Sequence, residues 1–218
     1  MQDLLTGNVA SCLYWMGRYL ERCEASLIEV SRAFDIIIDV NVNEGVILYE
    51  KLDEHITYNG ASDFLDVAIF GDHGGNLLKV IMAARENAII SRTQLETEAF
   101  GSIIKLARFM QDTSKNQTKI DCTFINEALS LTSETWGKLD QRQNRHRADY
   151  FIRLGRLVEK VDFKLRLEDD KNFALIVMDE IDTIVQILAP HVTSKDHTNS
   201  SKAELIVSIN NKIDKIIN

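Results

Sequence analysis

Val9, Leu13, Met16, Leu20, Cys23, Leu27, Val30, Phe34 and Ile37 follow one another at alternating steps of four and three residues. That spacing stacks apolar side chains on one stripe of a 3.6-residue helix and predicts a single helix from about Asn8 to Asp39. A helix this long outruns what local propensity holds in water, so its seam predicts packing against other long helices. Thr6 or Asn8 can cap its start, and the stretch from Asn41 to Gly45 can end it.

Further along, residues 46–58 read as a short helix closed by Asn59-Gly60, and a second short one runs from Ser62 or Asp63 to Phe70. Gly71-Asp72-His73-Gly74-Gly75 is a turn, with Asp72 or Asn76 as the next cap. A long helical stretch is expected from Leu77 to about Met110, bent near Ser91 to Thr97. The polar run Asp112 to Lys119 reads as a loop. Asp121 then caps a helix to about Asp140 whose seam is Phe124, Ala128, Leu131, Thr135 and Leu139. Helices at about 145–168, 171–188 and 201–217 follow, the last opened by the capping box Ser201 and Glu204. No segment alternates as a strand does. The fold expected is all-α, an antiparallel bundle of some six longer helices forming a single domain over 1–218.

Two of these helices repeat each other. Gly17-Arg18-Tyr19-Leu20-Glu21-Arg22-Cys23-Glu24 aligns with Gly155-Arg156-Leu157-Val158-Glu159-Lys160-Val161-Asp162 at an offset of 155 − 17 = 138. Apolar matches come cheaply between amphipathic helices, but glycine, arginine, glutamate, a base and a second acid in one order do not. This is an internal pseudo-repeat, two helices in equivalent places in the bundle. At about 100° per residue, Gly17, Glu21 and Glu24 share one flank of the seam, with Glu24 nearest to it, and Gly155, Glu159 and Asp162 do the same. Glycine inside a helix costs roughly 1 kcal/mol against alanine, which close approach of another backbone can justify. The expectation is that both helices pack in one bundle with Gly17 and Gly155 at close crossings. Acids beside such a crossing need basic partners. Arg/Glu pairs at these spacings equally stabilise exposed helix faces, so a scaffold and a polar layer inside the bundle are both open readings.

Composition narrows the partners. The net charge is −8, and Lys and Arg are interleaved with acids, so the positive footprint that nucleic-acid binding needs is missing. One proline and 10 glycines leave long stretches with nothing to break a helix. Met1-Gln2-Asp3 starts no basic, apolar leader, and runs such as Ile36-Ile37-Ile38 are too short to cross a bilayer, so neither membrane nor secretion is expected and a cytoplasmic location fits. Cys12 and Cys23 sit three turns apart, beyond disulfide reach, and no CxxC occurs. Glu-x-x-His, which a ferritin-like di-metal site requires, is absent, and His55, His73, His146, His191 and His197 are scattered, so no metal is expected. There is no P-loop and no GxGxxG, and no cofactor is implied.

Asn8-Val9-Ala10, Leu13-Tyr14-Trp15-Met16-Gly17-Arg18-Tyr19-Leu20-Glu21-Arg22 and Glu24 together resemble the opening helix of the alpha-E domain family, bacterial helical proteins of the DUF403 type. Ala83-Ala84-Arg85-Glu86-Asn87-Ala88 is similar to that family's central motif. Phe151-Ile152-Arg153-Leu154-Gly155-Arg156, with Glu159 and Asp162, is similar to its third. The resemblance covers roughly residues 1–110 and 145–170, an alpha-E-like region of about 1–168, and not the C-terminal helices of 170–218. It departs from the family pattern at Glu159-Lys160, where relatives have a second Glu-Arg pair.

The resemblance implies a partnership with ATP-grasp and transglutaminase-like proteins in systems that make or process amide and peptide bonds. It implies as motif residues Arg18, Glu21, Arg22, Glu24, Arg85, Glu86, Asn87, Arg153, Arg156, Glu159 and Asp162, and it assigns none of them a catalytic step. The reading it favours is an accessory or binding subunit whose arginine/glutamate layer takes a peptide, an amino-acid-like ligand or the partner enzyme. The alternatives are an enzyme using Glu21 or Glu159 as acid/base with arginines holding an anion, and a scaffold in which the layer only fixes helix register.

Overall fold

In the computed structural model the seam starting at Val9 lies on one uninterrupted helix, α1 (Gly7–Asp39), with Leu13, Met16, Leu20, Cys23, Leu27 and Val30 all withdrawn from solvent. The structure describes residues 5–116, 118–141, 146–167, 171–192 and 201–217. Among these the remaining elements are α2 (Glu44–Lys51), α3 (Ala61–Phe70), α4 (Leu77–Ile90), α5 (Thr97–Lys115), α6 (Cys122–Asp140), α7 (Arg147–Leu167), α8 (Lys171–Leu188) and α9 (Lys202–Ile217), and no strand occurs. The protein is an all-α bundle.

The chain divides into two compact units. One is built from both ends of the sequence, residues 1–18 and 143–218, and holds the start of α1 with α7, α8 and α9. The other is the contiguous stretch 19–142, with the rest of α1 and α2 through α6. In the first, α8 packs on α7 and α9 lies against both. In the second, α3, α4, α5 and α6 pack each on the next.

Local chemistry accounts for the ends. The Thr6 hydroxyl accepts from the Val9 amide at 3.4 Å, Asn76 from the Lys79 amide at 2.8 Å, and Asp121 from the Phe124 amide at 3.1 Å. Before α9, Ser201 and Glu204 exchange both bonds of a capping box. Three boundaries differ from the sequence reading. α2 starts at Glu44 and stops at Lys51, not near Tyr58, because Asp53 turns into the left-handed region at φ 62° and the Glu54 amide returns to the Tyr49 carbonyl. The long stretch 77–110 is two helices that fold back on one another, not one bent rod. Ser91 is fully buried at the break, its hydroxyl donating to the Asn87 carbonyl at 2.7 Å, and a single 3-10 turn (Arg92–Gln94) leads out. The stretch 112–119 is not all loop, since α5 runs on to Lys115 while Thr113 bonds back to the Phe109 carbonyl.

Candidate functional site

The two glycines of the pseudo-repeat make a reciprocal crossing of α1 and α7. A β-carbon on Gly17 would lie 2.2 Å from the Ile152 carbonyl oxygen, and one on Gly155 would lie 2.0 Å from the Tyr14 carbonyl oxygen. Under the 138-residue offset Tyr14 corresponds to Ile152, so each glycine meets the equivalent carbonyl of the other helix. That is the contact pattern of a two-fold axis, formed inside one chain. The helices reach this distance only because neither residue carries a side chain.

Close approach sets the position of Arg18, one residue past the crossing. Its Nε donates to Glu159 Oε2 at 2.6 Å, and a terminal nitrogen lies 3.5 Å from Asp162 Oδ2. The Glu159 carboxylate is 1% exposed and the Arg18 side chain 12%. Asp162 also accepts from Arg166 Nε at 3.1 Å, one turn further along α7. On the other side the guanidinium stands 5.2 Å from the centre of the Trp15 ring, and Tyr14 meets that indole edge-on at 5.5 Å. Burial raises the Tyr14 phenol, Arg18 pulls the other way, and Glu159 and Asp162 raise it further. Burial by itself would lower Arg18, but Glu159, Tyr14 and Asp162 outweigh it and lift the guanidinium above its ordinary value. The result is a cation fixed by two carboxylates, beside an indole that is partly open to solvent.

The remaining sequence candidates fall in different places. Glu21 is buried at 6% exposure, while Glu24 and Arg22 on the same helix are half-buried. The helical wheel put Glu24 nearest the seam, yet Glu21 is the more deeply enclosed. It stands one turn past Gly17 just as Glu159 stands one turn past Gly155, and at Glu159 that stripe is the one closed by the crossing. Arg156 is half-buried on α7. Arg153 leaves the layer and pairs with Glu180 on α8, its Nε donating at 2.5 Å. In the second unit, half-buried Arg85 pairs with its exposed neighbour Glu86, and Asn87 is half-buried with its backbone carbonyl taken by Ser91.

Sequence reading passed over a second enclosed ion pair, Lys212 of α9 with Asp182 of α8, both buried. A signal existed. Lys212 adjoins the apolar stripe Leu205, Ile209 and Ile213, and Asp182 is set between Ile181 and Ile184, so both charges sit beside core positions. Arg166, which also holds Asp162, was not among the sequence candidates. Cys12 and Cys23 are buried free thiols, and burial, with Glu24 nearby, pushes Cys23 up to about 12. Among the described residues no group of three or more His, Cys, Asp and Glu gathers as a metal set would, and no helix is long and apolar enough to cross a membrane.

Residues 5–200 match the model of the Alpha-E family, described as a predicted alpha-helical domain with a conserved ER motif. The match runs past the three sequence motifs and takes in α6 and α8. Glu21-Arg22 is the only Glu-Arg dipeptide in the chain. No curated protein and no solved structure was found to match.

Proposed function

The chain belongs to the Alpha-E family, and we propose that it is the binding or accessory component of an ATP-grasp- and transglutaminase-associated system that makes or processes amide or peptide bonds. The observation that carries this reading is Arg18, held between Glu159 and Asp162 beside a partly open Trp15. A buried ion pair is no more stabilising than leucines of the same volume, so a fold that needed only a core would have no use for one. An oriented guanidinium recognises a carboxylate, acidic oxygens recognise an amine, and an indole supplies a stacking face. A peptide or amino-acid-like ligand offers both charges at once.

The test pairs binding with stability. Arg18→Lys keeps the charge but loses the planar fork, while Glu21→Gln and Arg85→Gln remove charge at motif positions. Each variant is assayed for binding to an ATP-grasp or transglutaminase-like protein encoded beside it and for melting temperature. Lost binding at a retained melting temperature supports the proposal. Lost stability without a specific binding defect means that the layer sets helix register, a reading favoured by the two-fold glycine crossing next to it. Turnover of an amide substrate by the purified chain alone would place it among enzymes instead.

A further inference from the structure

Between α1 and α2 the chain turns a corner that is rigid and apolar at once. The Val40 and Asn41 amides both return to the Ile36 carbonyl at 2.8 Å, closing α1. Asn41 then organises the turn: its side-chain oxygen accepts from the Asn43 amide at 3.1 Å, its side-chain nitrogen donates to Glu44, and its carbonyl accepts from the Glu44 amide. From across the same unit the Tyr58 hydroxyl donates to the Val42 carbonyl at 2.5 Å and accepts from the Gly45 amide at 2.9 Å. Gly45 is pressed against the Phe64 and Tyr58 rings so closely that a β-carbon there would fall 2.5 Å from Phe64. All of these hydrogen bonds are made by backbone or polar atoms. The apolar side chains they fix point outward: Val40 is 81% exposed, Ile38 57% and Val42 56%, with Ile36 and Ile47 beside them in sequence and also open.

Turns are ordinarily polar, and the fold makes no use of these valines. Ile38, Val40 and Val42 at such exposures leave roughly 300 Å² of apolar surface in water, the size at which a patch on a monomer marks an interaction site. Its surroundings are acidic. From residue 35 to 54 the charged side chains are Asp35, Asp39, Glu44, Glu50, Asp53 and Glu54 against the single base Lys51. That charge opposes an anionic bilayer. It opposes a second copy too, since a symmetric contact would press the same acids together.

We infer that the α1–α2 corner is a docking surface for an amphipathic helix of a partner protein whose apolar face is flanked by lysine or arginine. The valines supply the contact area, the acids orient the incoming helix, and the bonds around Asn41 and Tyr58 pre-pay its ordering. The site is separate from the Arg18 layer and stands whether or not that layer binds anything.

The probe is a synthetic amphipathic helix with leucines on one face and lysines along its borders, titrated into the full chain while backbone amide NMR shifts are followed. A counterpart with every lysine replaced by glutamate is the control. Shifts should be confined to residues 36–47. Affinity should fall at least about tenfold in a Val40→Asp/Val42→Asp double variant, and by a similar factor for the glutamate peptide or on raising salt from about 0.05 to 0.3 M. Should the double variant fail to fold, Asp39→Lys/Glu44→Lys, which leaves the valines in place, must still weaken the lysine peptide. Shifts spread over other surfaces, or equal binding of both peptides, overturn the inference. So does a wild-type dimer in light scattering that the valine variant abolishes, or retention on phosphatidylserine vesicles that the valine variant loses.

Discussion

Replacing Gly155 with alanine tests the crossing directly. The new β-carbon would stand 2.0 Å from the Tyr14 carbonyl oxygen, where ordinary contact begins at 3.4 Å, so the helices lack 3.4 − 2.0 = 1.4 Å of room. The obstacle is backbone on both sides and cannot rotate away. Opening the crossing by about that amount would carry the 2.6 Å bond between Arg18 and Glu159 beyond the roughly 3.2 Å limit of a hydrogen bond. Overpacking costs about 1–3 kcal/mol and a lost bond to a charged group about 1.5–3, while alanine returns roughly 1 in helix propensity. The net expectation is a loss of about 2–4 kcal/mol, or roughly 5–15 °C in melting temperature for a chain of this size. Calorimetry beside far-ultraviolet circular dichroism would show whether one transition or two is affected, which matters in a protein of two units. Gly101→Ala and Gly137→Ala are the controls. Both glycines lie within helices with nothing within 4 Å of a β-carbon, so alanine there should leave the melting temperature unchanged or raise it. The argument for the crossing fails if Gly155→Ala behaves as these two do.

Gly17→Ala, blocked by the Ile152 carbonyl, should be destabilising by a similar amount. Because the two substitutions strain one contact, the double variant should melt higher than two independent losses would give in a thermodynamic cycle. Glu159→Gln removes the closer of the two charged partners of Arg18 and should cost about 1–3 kcal/mol, more than Asp162→Asn, whose contact is longer and more exposed; chemical denaturation of both variants ranks them. The buried Cys23 thiol has its pKa raised from 9.0 to about 12, so its contribution to stability is complete below pH 9 and is lost as pH rises from there toward 12. The loss is at most about 1.4 kcal/mol per pH unit, and Cys23→Ala should flatten the alkaline limb of a stability-against-pH curve. A thiol reagent at neutral pH should modify the exposed Cys122 at once and Cys12 and Cys23 only with unfolding, which counting modified residues by mass spectrometry would check.

What could be read from sequence follows from which forces are local. The seam of α1, the caps at Thr6, Asn76 and Asp121, and the box at Ser201 and Glu204 depend on residues a few positions apart, and all appear where the spacing places them. The crossing was legible for a different reason. A glycine in mid-helix is a standing cost, and two at matching points of a repeat point to one shared cause. The bend near Ser91 was legible, but not that it is a full break with α5 packed back on α4, because no glycine or proline marks it. Arg153 carried the same motif context as Arg156, yet it turns to Glu180 on a helix outside the repeat. Glu21 was placed behind Glu24 because a wheel shows where a side chain points and not what covers it. Asp182 and Lys212 each stand beside core positions in the sequence, but that the two helices bring them together across 30 residues has no signature there.

The first unit is assembled from two segments, 1–18 and 143–218, with the whole of the second unit between them, and this bears on how the chain emerges from a ribosome. Residues 19–142 are contiguous and can complete their own core while the rest is still being made. Leu13, Met16 and Gly17 belong to a surface whose other half, around Ile152 and Gly155, is translated well over a hundred residues later. At typical elongation rates of about 5–20 residues per second, that strip waits on the order of 10–30 s for its counterpart. During this interval the apolar stripe at the front of α1 is on offer to chaperones or to a neighbouring nascent chain. Cotranslational assembly can therefore complete the 19–142 unit first, and the front of α1 is buried only once α7 has been made.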